Sequence, residues 1–454
     1  MRTGLPILLV WWGACRTGPE APEVLQDPET CRECHPDHHR QWSGSMHAYA
    51  SEDPVFRALN ALGQAETDGE LGDFCVQCHA PLALERGLTT DGLDLDAVPE
   101  SLQGVGCAYC HQVTAVAGTH NNPLRLTMDH TMRGGIADPI PNRVHDSTFS
   151  PLHDRDAPES SELCGSCHDV VTSSGAHIER TYAEWQQSVF ATPGADLSCS
   201  RCHMRGVDGF AAQVRRAAPR RVHEHAMPGV DVALTDFPER EDQRARVQEF
   251  LDDTLSASLC VLPSAGATTP VVVSLDNVAS GHSFPSGATS DRRIWVEIEA
   301  FSGEERIWSS GSMPEGQSVE AFAAEPGHDD VWRVHSTLLD ADGSPTPFFW
   351  NAAAIDESRL LRTHTTLDPS DPAYIETAQS RNFLVTGGVP DRIRMAVHVR
   401  PMPLDLLDEL VDGGWLDPAV RDALPTFTLA PTRLEWTPDV AVNAGNLACV
   451  PAPR

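Results

Sequence analysis

A Cys-x-x-Cys-His motif occurs five times within the first 203 of the chain's 454 residues. The copies are Cys31-Cys34-His35, Cys75-Cys78-His79, Cys107-Cys110-His111, Cys164-Cys167-His168 and Cys199-Cys202-His203. This spacing is the attachment signature of a c-type haem, in which two thiols bond one porphyrin and the adjoining imidazole ligates its iron. Zinc takes the same ligand types and is the alternative. Five copies, each ending in histidine, favour haem and predict five covalently bound haem c groups.

The charge balance limits the possible partners. The formal net charge is −32, and all 33 basic residues are arginine. A chain this acidic is not expected to bind nucleic acid or an anionic membrane surface. It could attract a redox partner protein, either a basic one or another cytochrome, or the charge could simply keep the protein soluble.

The N-terminus resembles an export signal. Arg2 precedes an apolar run from Leu5 to Ala14, which is too short to span a membrane, and Cys15 follows. Gly13-Ala14-Cys15 is similar to a bacterial lipobox. We therefore expect residues 1–15 to be a signal peptide ending at a lipidated Cys15, and 16–30 to be a flexible tether. The protein would lie in the periplasm or at the cell surface of a Gram-negative bacterium, with membrane contact only through this lipid anchor.

Three of the thirteen cysteines lie outside the haem motifs: Cys15, Cys260 and Cys449. If Cys15 is lipidated, one pair remains in an oxidising compartment. The sequence therefore predicts a disulfide between Cys260 and Cys449, with two buried thiols as the alternative.

The chain divides into two parts that differ in composition and in the pattern of apolar residues. Residues 31–235 contain the motifs and many Gly, Pro, His and Asp, and predict a mostly α-helical and irregular multihaem domain. Helical spacing of Val247, Phe250, Leu251, Leu255 and Leu259 predicts a connecting helix within 236–262. Residues 263–450 are expected to form an all-β, sandwich-like domain. Its predicted strands are Pro270–Val278, Arg293–Phe301, Arg306–Ser310, Asp330–Asp340, Asn382–Thr386 and Arg392–Val399, with a short helix at Leu404–Val411.

Several short segments resemble a known family. They are Trp42-x-x-Ser45-x-His47-Ala48 after the first motif, Gly104-Val105 before the third, Met204 after the fifth, and Gly281-His282-Ser283-Phe284-Pro285-Ser286-Gly287. Together they are similar to multihaem cytochromes related to the tetrahaem electron carrier of ammonia oxidisers, particularly bacterial members with a C-terminal β domain. The resemblance covers residues 31 to about 300.

The resemblance also implies which histidines complete the iron coordination. It suggests His47 as the second axial ligand of a haem other than its nearest one, with His145, His225 and His282 in the same role for other haems. A glycine before His282 and Pro285 after it would make a stiff loop that presents this imidazole. The fifth second ligand is open between His120, His130, His153 and His223.

Electron transfer is the leading functional hypothesis. Five haems attached within 173 residues must lie close together, and two histidines per iron keep the coordination fixed during redox change. The alternative is a reductase or other oxidoreductase that acts on a small nitrogen or sulfur compound at one five-coordinate haem. No catalytic residue is assigned, because the chain lacks the lysine of lysine-ligated nitrite reductases and the eight motifs of hydroxylamine-oxidising enzymes. A structural surface lipoprotein is a third possibility.

Overall fold

The computed structural model of the protein describes residues 22–451. It confirms two parts, an N-terminal region of short helices and loops followed by a C-terminal region of antiparallel sheets. The predicted signal peptide and Cys15 lie outside the described residues. Within 22–451, no helix is both long and apolar enough to cross a membrane.

The N-terminal region consists of short elements because proline and glycine interrupt it repeatedly. Its α-helices are Glu29–Arg32, Pro36–Ser43, Met46–Tyr49, Pro54–Glu66, Val76–His79, Pro81–Glu85, Cys107–His111, Ser160–Gly165, Thr181–Gln187 and Cys199–His203. Four two-stranded pairings join Val113–Val116 to Leu124–Leu126, Thr131–Gly134 to Asp146–Phe149, Val170–Val171 to His177–Glu179, and Gly206–Gly209 to Arg220–His223. Short 3₁₀ turns are Val24–Gln26, Leu95–Ala97, Glu100–Leu102, Pro151–His153 and Val189–Ala191.

The described part of the predicted tether, residues 22–30, is folded, whereas residues 16–21 lie outside the described range. Leu25 and Gln26 are buried, and the Gln26 side chain accepts a hydrogen bond from Arg86 Nε at 2.9 Å. Thr30 Oγ1 also donates to the Val24 carbonyl at 3.0 Å. Burial of Leu25 and the bond from Arg86 thus pack this segment against the haem region, and the Thr30–Val24 bond stabilises its own turn.

The predicted connecting helix ends earlier than the pattern suggested. The helix is Arg240–Asp252, and Leu255–Val261 is a strand. Leu255 and Leu259 point into the core of the sheet domain. A spacing of four residues brings side chains to one face of a helix and also to one face of a strand, so this pattern could not separate the two.

The C-terminal region contains two antiparallel sheets. The first has the strand order Gln379–Val385, Thr269–Asn277, Leu255–Val261, Leu447–Pro451 and Val442–Ala444. The second has the order Glu305–Ser310, Arg293–Ser302, Arg392–Arg400 and Phe427–Thr428, with Trp332–Val334 beside Arg293–Ser302 and Leu434–Trp436 beside Arg392–Arg400. The remaining elements are the pair Thr337–Leu339 and Ala354–Asp356, the helices Val319–Ala324, Leu404–Asp412 and Pro418–Asp422, and the 3₁₀ turns Phe349–Asn351 and Ala430–Thr432. The predicted strand Asp330–Asp340 is thus two short strands with different partners.

Alternating apolar residues build the core between these sheets. Val271, Val273 and Leu275 of the first sheet are completely buried. Ile294 and every second residue after it as far as Ala300, on the strand Arg293–Ser302 of the second sheet, belong to the same apolar cluster. This is the two-layer packing of a β-sandwich. The Cys260–Cys449 disulfide is confirmed, and it joins directly paired residues of neighbouring strands whose Cα atoms are 4.0 Å apart.

Candidate haem-binding site

One cavity of about 2520 Å³ lies between the two parts of the protein. Residues of all five Cys-x-x-Cys-His motifs line it, together with the four predicted second ligands. A site for one small ligand usually measures roughly 300–1,000 Å³. The cavity therefore has room for several large groups, and the motifs place the attachment points around its wall.

The spacing between histidine rings tests whether these residues fit haem iron. Two imidazoles on opposite sides of one metal ion, each bound at roughly 2 Å, have ring centroids separated by about 6 Å. Four motif histidines each have one suggested second ligand at this separation: His35–His145 at 6.3 Å, His111–His225 at 6.3 Å, His203–His282 at 6.4 Å and His168–His47 at 6.2 Å. Each pair combines a motif histidine with one histidine that the family resemblance suggested as a second ligand.

The ring planes differ among the pairs. The interplanar angles are 26°, 24° and 23° for the pairs of the first, third and fifth motifs. The pair of the fourth motif, His168 and His47, is perpendicular at 90°. His35 and His38 also lie 6.2 Å apart, but His38 is on the helix that directly follows the first motif and is not among the suggested second ligands.

The second motif differs from the other four. Among the described residues, which include all twenty histidines, no other imidazole lies at a comparable distance from the His79 ring. The ring that stacks on His79 is that of Phe56, with centroids 4.1 Å apart. None of the open candidates is placed opposite His79. The His153 ring stacks on His111 instead, with centroids 5.5 Å apart, and its Nε2 donates to the Cys110 carbonyl at 2.8 Å. His120 Nδ1 contacts Thr119 Oγ1 at 3.2 Å.

Hydrogen bonds at Nδ1 orient the motif histidines. Four of them donate to backbone carbonyls: His35 to Ala211 at 2.6 Å, His79 to Ala50 at 3.0 Å, His111 to Arg133 at 2.5 Å and His203 to Pro228 at 2.8 Å. Such a bond fixes the ring and keeps the proton on Nδ1, so that Nε2 is available to a metal. Backbone acceptors carry no sequence signal, so these four carbonyls could not be predicted from the sequence.

His168 of the fourth motif has a carboxylate partner instead. Its Nδ1 lies 3.3 Å from Glu179 Oε1. Burial alone would lower the pKa of His168, but the hydrogen bond and negative charge of Glu179 outweigh burial and raise the pKa to about 9. A carboxylate at this position makes the imidazole a stronger donor to a metal. Glu179 was not among the predicted site residues, because nothing in its sequence context distinguishes it from a surface carboxylate.

His47 is held by the two family-like segments around it. Ser45 caps the helix Met46–Tyr49, and the His47 carbonyl accepts a hydrogen bond from Val105 N at 2.8 Å. A side chain at Gly104 would come within 2.7 Å of that carbonyl, so glycine is required there. Burial lowers the pKa of His47 to about 4, and its Nδ1 is buried without a hydrogen-bond partner. A neutral imidazole in this position is competent to bind metal.

His282 comes from the sandwich. Its loop follows the strand Thr269–Asn277, and Asn277 Nδ2 donates to the His282 carbonyl at 2.8 Å. The Ser283 N–H donates to Glu184 Oε2 of the haem region at 3.0 Å. A side chain at Gly281 would come within 3.3 Å of Trp185, so the loop lies close against the haem region. These contacts bring His282 to the fifth motif.

Cysteine contacts show which motifs are neighbours. Hydrogen-bonding contacts join the thiols of Cys31 and Cys107, of Cys78 and Cys167, and of Cys164 and Cys199. The charge of Cys167 also raises the pKa of Cys110, although burial contributes more. The first motif thus adjoins the third, and the fourth adjoins the second, third and fifth.

The donor set does not suit zinc. Within residues 22–451, no group of three or more His, Cys, Asp and Glu side chains is arranged to hold a metal ion, whereas zinc sites require three or four such ligands at one point.

Cys34 is disulfide-bonded. Because one sulfur cannot form a disulfide and a thioether together, complete attachment at the first motif requires this sulfur in place of the disulfide.

Comparisons with known proteins agree with this geometry. Residues 30–112 match the family model described as cytochrome c554 and c-prime. The fold matches the crystal structure of a penta-heme cytochrome c552 from Thermochromatium tepidum with a TM-score of 0.63 and 18% identity, over 92% of this chain and 100% of that chain. No curated protein sequence matches significantly. The family match supports a c-type cytochrome region within residues 30–112, and the structural match shows a shared fold; the particular link to the carrier of ammonia oxidisers is not confirmed.

Proposed function

We propose that this protein carries electrons through five covalently attached haems, four of which are ligated by two histidines. The four ring pairs at 6.2–6.4 Å are the observation that carries this proposal. Axial ligation by two histidines leaves an iron no open position for a substrate and little need to reorganise on reduction. This arrangement suits electron transfer better than catalysis.

The neighbouring motifs suggest a branched path. Thiol contacts join the first motif to the third, and the fourth to the second and the fifth, while the charge of Cys167 in the fourth motif acts on Cys110 in the third. The fourth motif is therefore the proposed junction. Glu179 is expected to lower the reduction potential of the haem at the fourth motif, because a carboxylate strengthens the His168 imidazole as a donor to iron more than a backbone carbonyl does.

Low-temperature EPR of the fully oxidised protein, with haem content fixed by pyridine haemochrome and mass spectrometry, tests the proposal. We expect five haems and four low-spin irons. Three should give rhombic signals, from near-parallel imidazoles, and one a highly anisotropic signal, from the perpendicular pair at the fourth motif. Fewer than four low-spin irons would contradict the proposal.

Two histidine variants sharpen the assignment. His282→Ala removes the proposed second ligand at the fifth motif, so one rhombic low-spin signal should be replaced by a high-spin signal. His328→Ala is the matched control, because that ring stacks on Phe322 within the sandwich region and does not line the cavity. An unchanged spectrum for His282→Ala would remove this residue from the ligand set.

The second motif favours one additional candidate function, reduction or oxidation of a small nitrogen or sulfur compound. The reason is that His79 has no histidine facing it among the described residues. Adding nitrite, hydroxylamine or sulfite should perturb one high-spin signal if a small molecule reaches this position. Turnover of the compound with an electron donor would establish an enzyme. If none of the compounds changes the high-spin signal, electron transfer is the function that the haems support.

We also propose that the protein is exported and anchored by a lipid on Cys15. Haem attachment outside the cytoplasm and the apolar run from Leu5 to Ala14 support this. A Cys15→Ser variant should move from the membrane fraction to the soluble extract while retaining its haems. Retention in the membrane fraction would contradict lipid anchoring.

A further inference from the structure

One asparagine contacts three of the five haem motifs. Asn122 lies in the turn that follows the strand Val113–Val116. Its side-chain oxygen accepts a hydrogen bond from the Tyr109 hydroxyl at 2.8 Å, and its side-chain nitrogen donates to the Gln77 carbonyl. Its backbone N–H donates to the Ser166 carbonyl at 2.6 Å. Tyr109, Gln77 and Ser166 belong to the third, second and fourth motifs, respectively.

The three contacted residues occupy the same position in their motifs. Each directly precedes the second cysteine: Gln77 precedes Cys78, Tyr109 precedes Cys110 and Ser166 precedes Cys167. These cysteines are also near one another, because the thiols of Cys78 and Cys167 are in contact and the charge of Cys167 acts on Cys110. Asn122 thus joins the places where three haems are attached.

The preceding residue fixes the turn to the chain that follows the fourth motif. Asn121 Nδ2 donates to the Val171 carbonyl at 2.7 Å, and Asn121 Oδ1 accepts from the Val171 N–H at 2.9 Å. The Asn121 N–H also donates to the Asp169 carbonyl at 3.1 Å. The turn is therefore held against the fourth motif, and the Asn122 side chain reaches from it to the second and third motifs.

Both the backbone and the side chain of residue 122 favour asparagine. Its φ of 53° lies in the left-handed region, which glycine, asparagine and aspartate adopt more readily than other residues. Glycine has no side chain, and an aspartate carboxylate could accept from Tyr109 but could not donate to Gln77. Of these three residue types, only asparagine makes both side-chain bonds with this backbone conformation.

We propose that Asn122 is a positioning residue for electron transfer, which fixes the second, third and fourth haems relative to one another. The inference deepens the proposed electron-transfer function and rests on it. A protein contributes to the reaction of its cofactors chiefly by placing their reactive atoms, and a misplacement of about 1 Å can slow a reaction that depends on alignment by about a hundredfold. Loss of the Asn122 side-chain bonds should therefore slow transfer among these haems without changing how strongly each haem holds an electron.

Injection of less than one electron per molecule into the oxidised holoprotein by flash photolysis tests this role. A reaction phase whose rate does not depend on protein concentration reports transfer among the haems of one molecule. Asn122→Gly keeps the left-handed backbone and the bond to Ser166 but removes both side-chain bonds, so this phase should slow by about tenfold. Tyr109→Phe removes one hydroxyl and keeps the buried ring, so it should slow the phase by a smaller factor.

Asp68→Gly is the matched control. Asp68 has a φ of 52° in an exposed turn outside the motifs, so this variant should retain the wild-type rate. Haem content, low-spin EPR signals and equilibrium haem potentials should be the same in the wild type and in all three variants.

An unchanged phase in Asn122→Gly would overturn the positioning role. A slower phase with shifted haem potentials would also overturn it, because the driving force would then account for the rate. Absence of any concentration-independent phase in the wild type would instead refute electron transfer among the haems, and the positioning role with it.

Discussion

The two parts of this protein obtain their stability in different ways. The sandwich has a continuous apolar core that runs from Leu255 through Val273 and Ile294 to Leu434. The haem region has two small apolar clusters, around Val76 and around Tyr109, and its largest interior feature is the cavity bordered by the motifs. A chain can thus fold one region around its own side chains and the next around groups that it attaches covalently.

The largest expected effect comes from preventing haem attachment. With Ser in place of both cysteines in all five motifs, we expect the haem region to lose its fixed structure, because its interior would lack most of its apolar contacts. The sandwich should still fold, since most of its core residues come from its own strands and from the helix Arg240–Asp252. Limited proteolysis should yield a resistant fragment beginning near the start of that helix, and wild-type holoprotein from the same host is the control. If residues 31–235 of the variant resist proteolysis as they do in the wild type, the haem region does not depend on haem for its structure.

Removing the disulfide should affect only the sandwich. Cys260 and Cys449 are 189 residues apart in sequence, and in the chain-entropy model a cross-link that closes so long a loop stabilises by about 5 kcal/mol. Cys260→Ala/Cys449→Ala should therefore speed hydrogen exchange in the strand Leu255–Val261 while the haem spectrum stays unchanged. Ser258→Ala on the same strand is the control, and equal exchange in both variants would show that the bond contributes little.

Acid should weaken the sandwich through Glu320. Burial would raise the pKa of this carboxyl, but His335, Arg293 and Arg333 together lower it to about 2. Because the folded-state pKa is depressed, the stabilisation is complete above the ordinary value of 4.5 and is lost as the pH falls towards 2. The shift corresponds to about 3 kcal/mol. Glu320→Gln should therefore lower the free energy of unfolding at pH 7 and make it less dependent on pH between 4.5 and 2. An unchanged pH dependence in this range would contradict the role of Glu320.

The smallest predicted effect compares one methyl group in the two regions. Ile294 is completely buried in the sandwich core, whereas Ile140 is 39% exposed beside the cavity. Ile294→Val should cost about 1 kcal/mol of unfolding free energy. Ile140→Val should cost almost nothing, because its side chain retains contact with solvent. Equal losses in urea denaturation would show that the two interiors are packed alike.

Much of the site could be predicted from local sequence. A haem motif occupies five adjacent residues, so its chemistry does not depend on the rest of the fold. The four suggested histidines all lie at ligand spacing from a motif histidine, and the disulfide followed from counting the cysteines left over. The strands of the sandwich were also visible, since an alternating pattern of β-branched residues is characteristic of a half-buried strand.

Only the tertiary structure decided which histidine faces which motif. His145 faces the first motif and His47 the fourth, although His47 follows the first motif in sequence. These partners are brought together by long loops whose path no short pattern encodes. Glu179 beside His168, the Ala211 carbonyl beside His35 and the strand Leu255–Val261 were likewise fixed by packing. The sequence by itself determined the attachment chemistry, because that chemistry is local. The fold determined the pairing, because ligation joins residues that are distant in the chain.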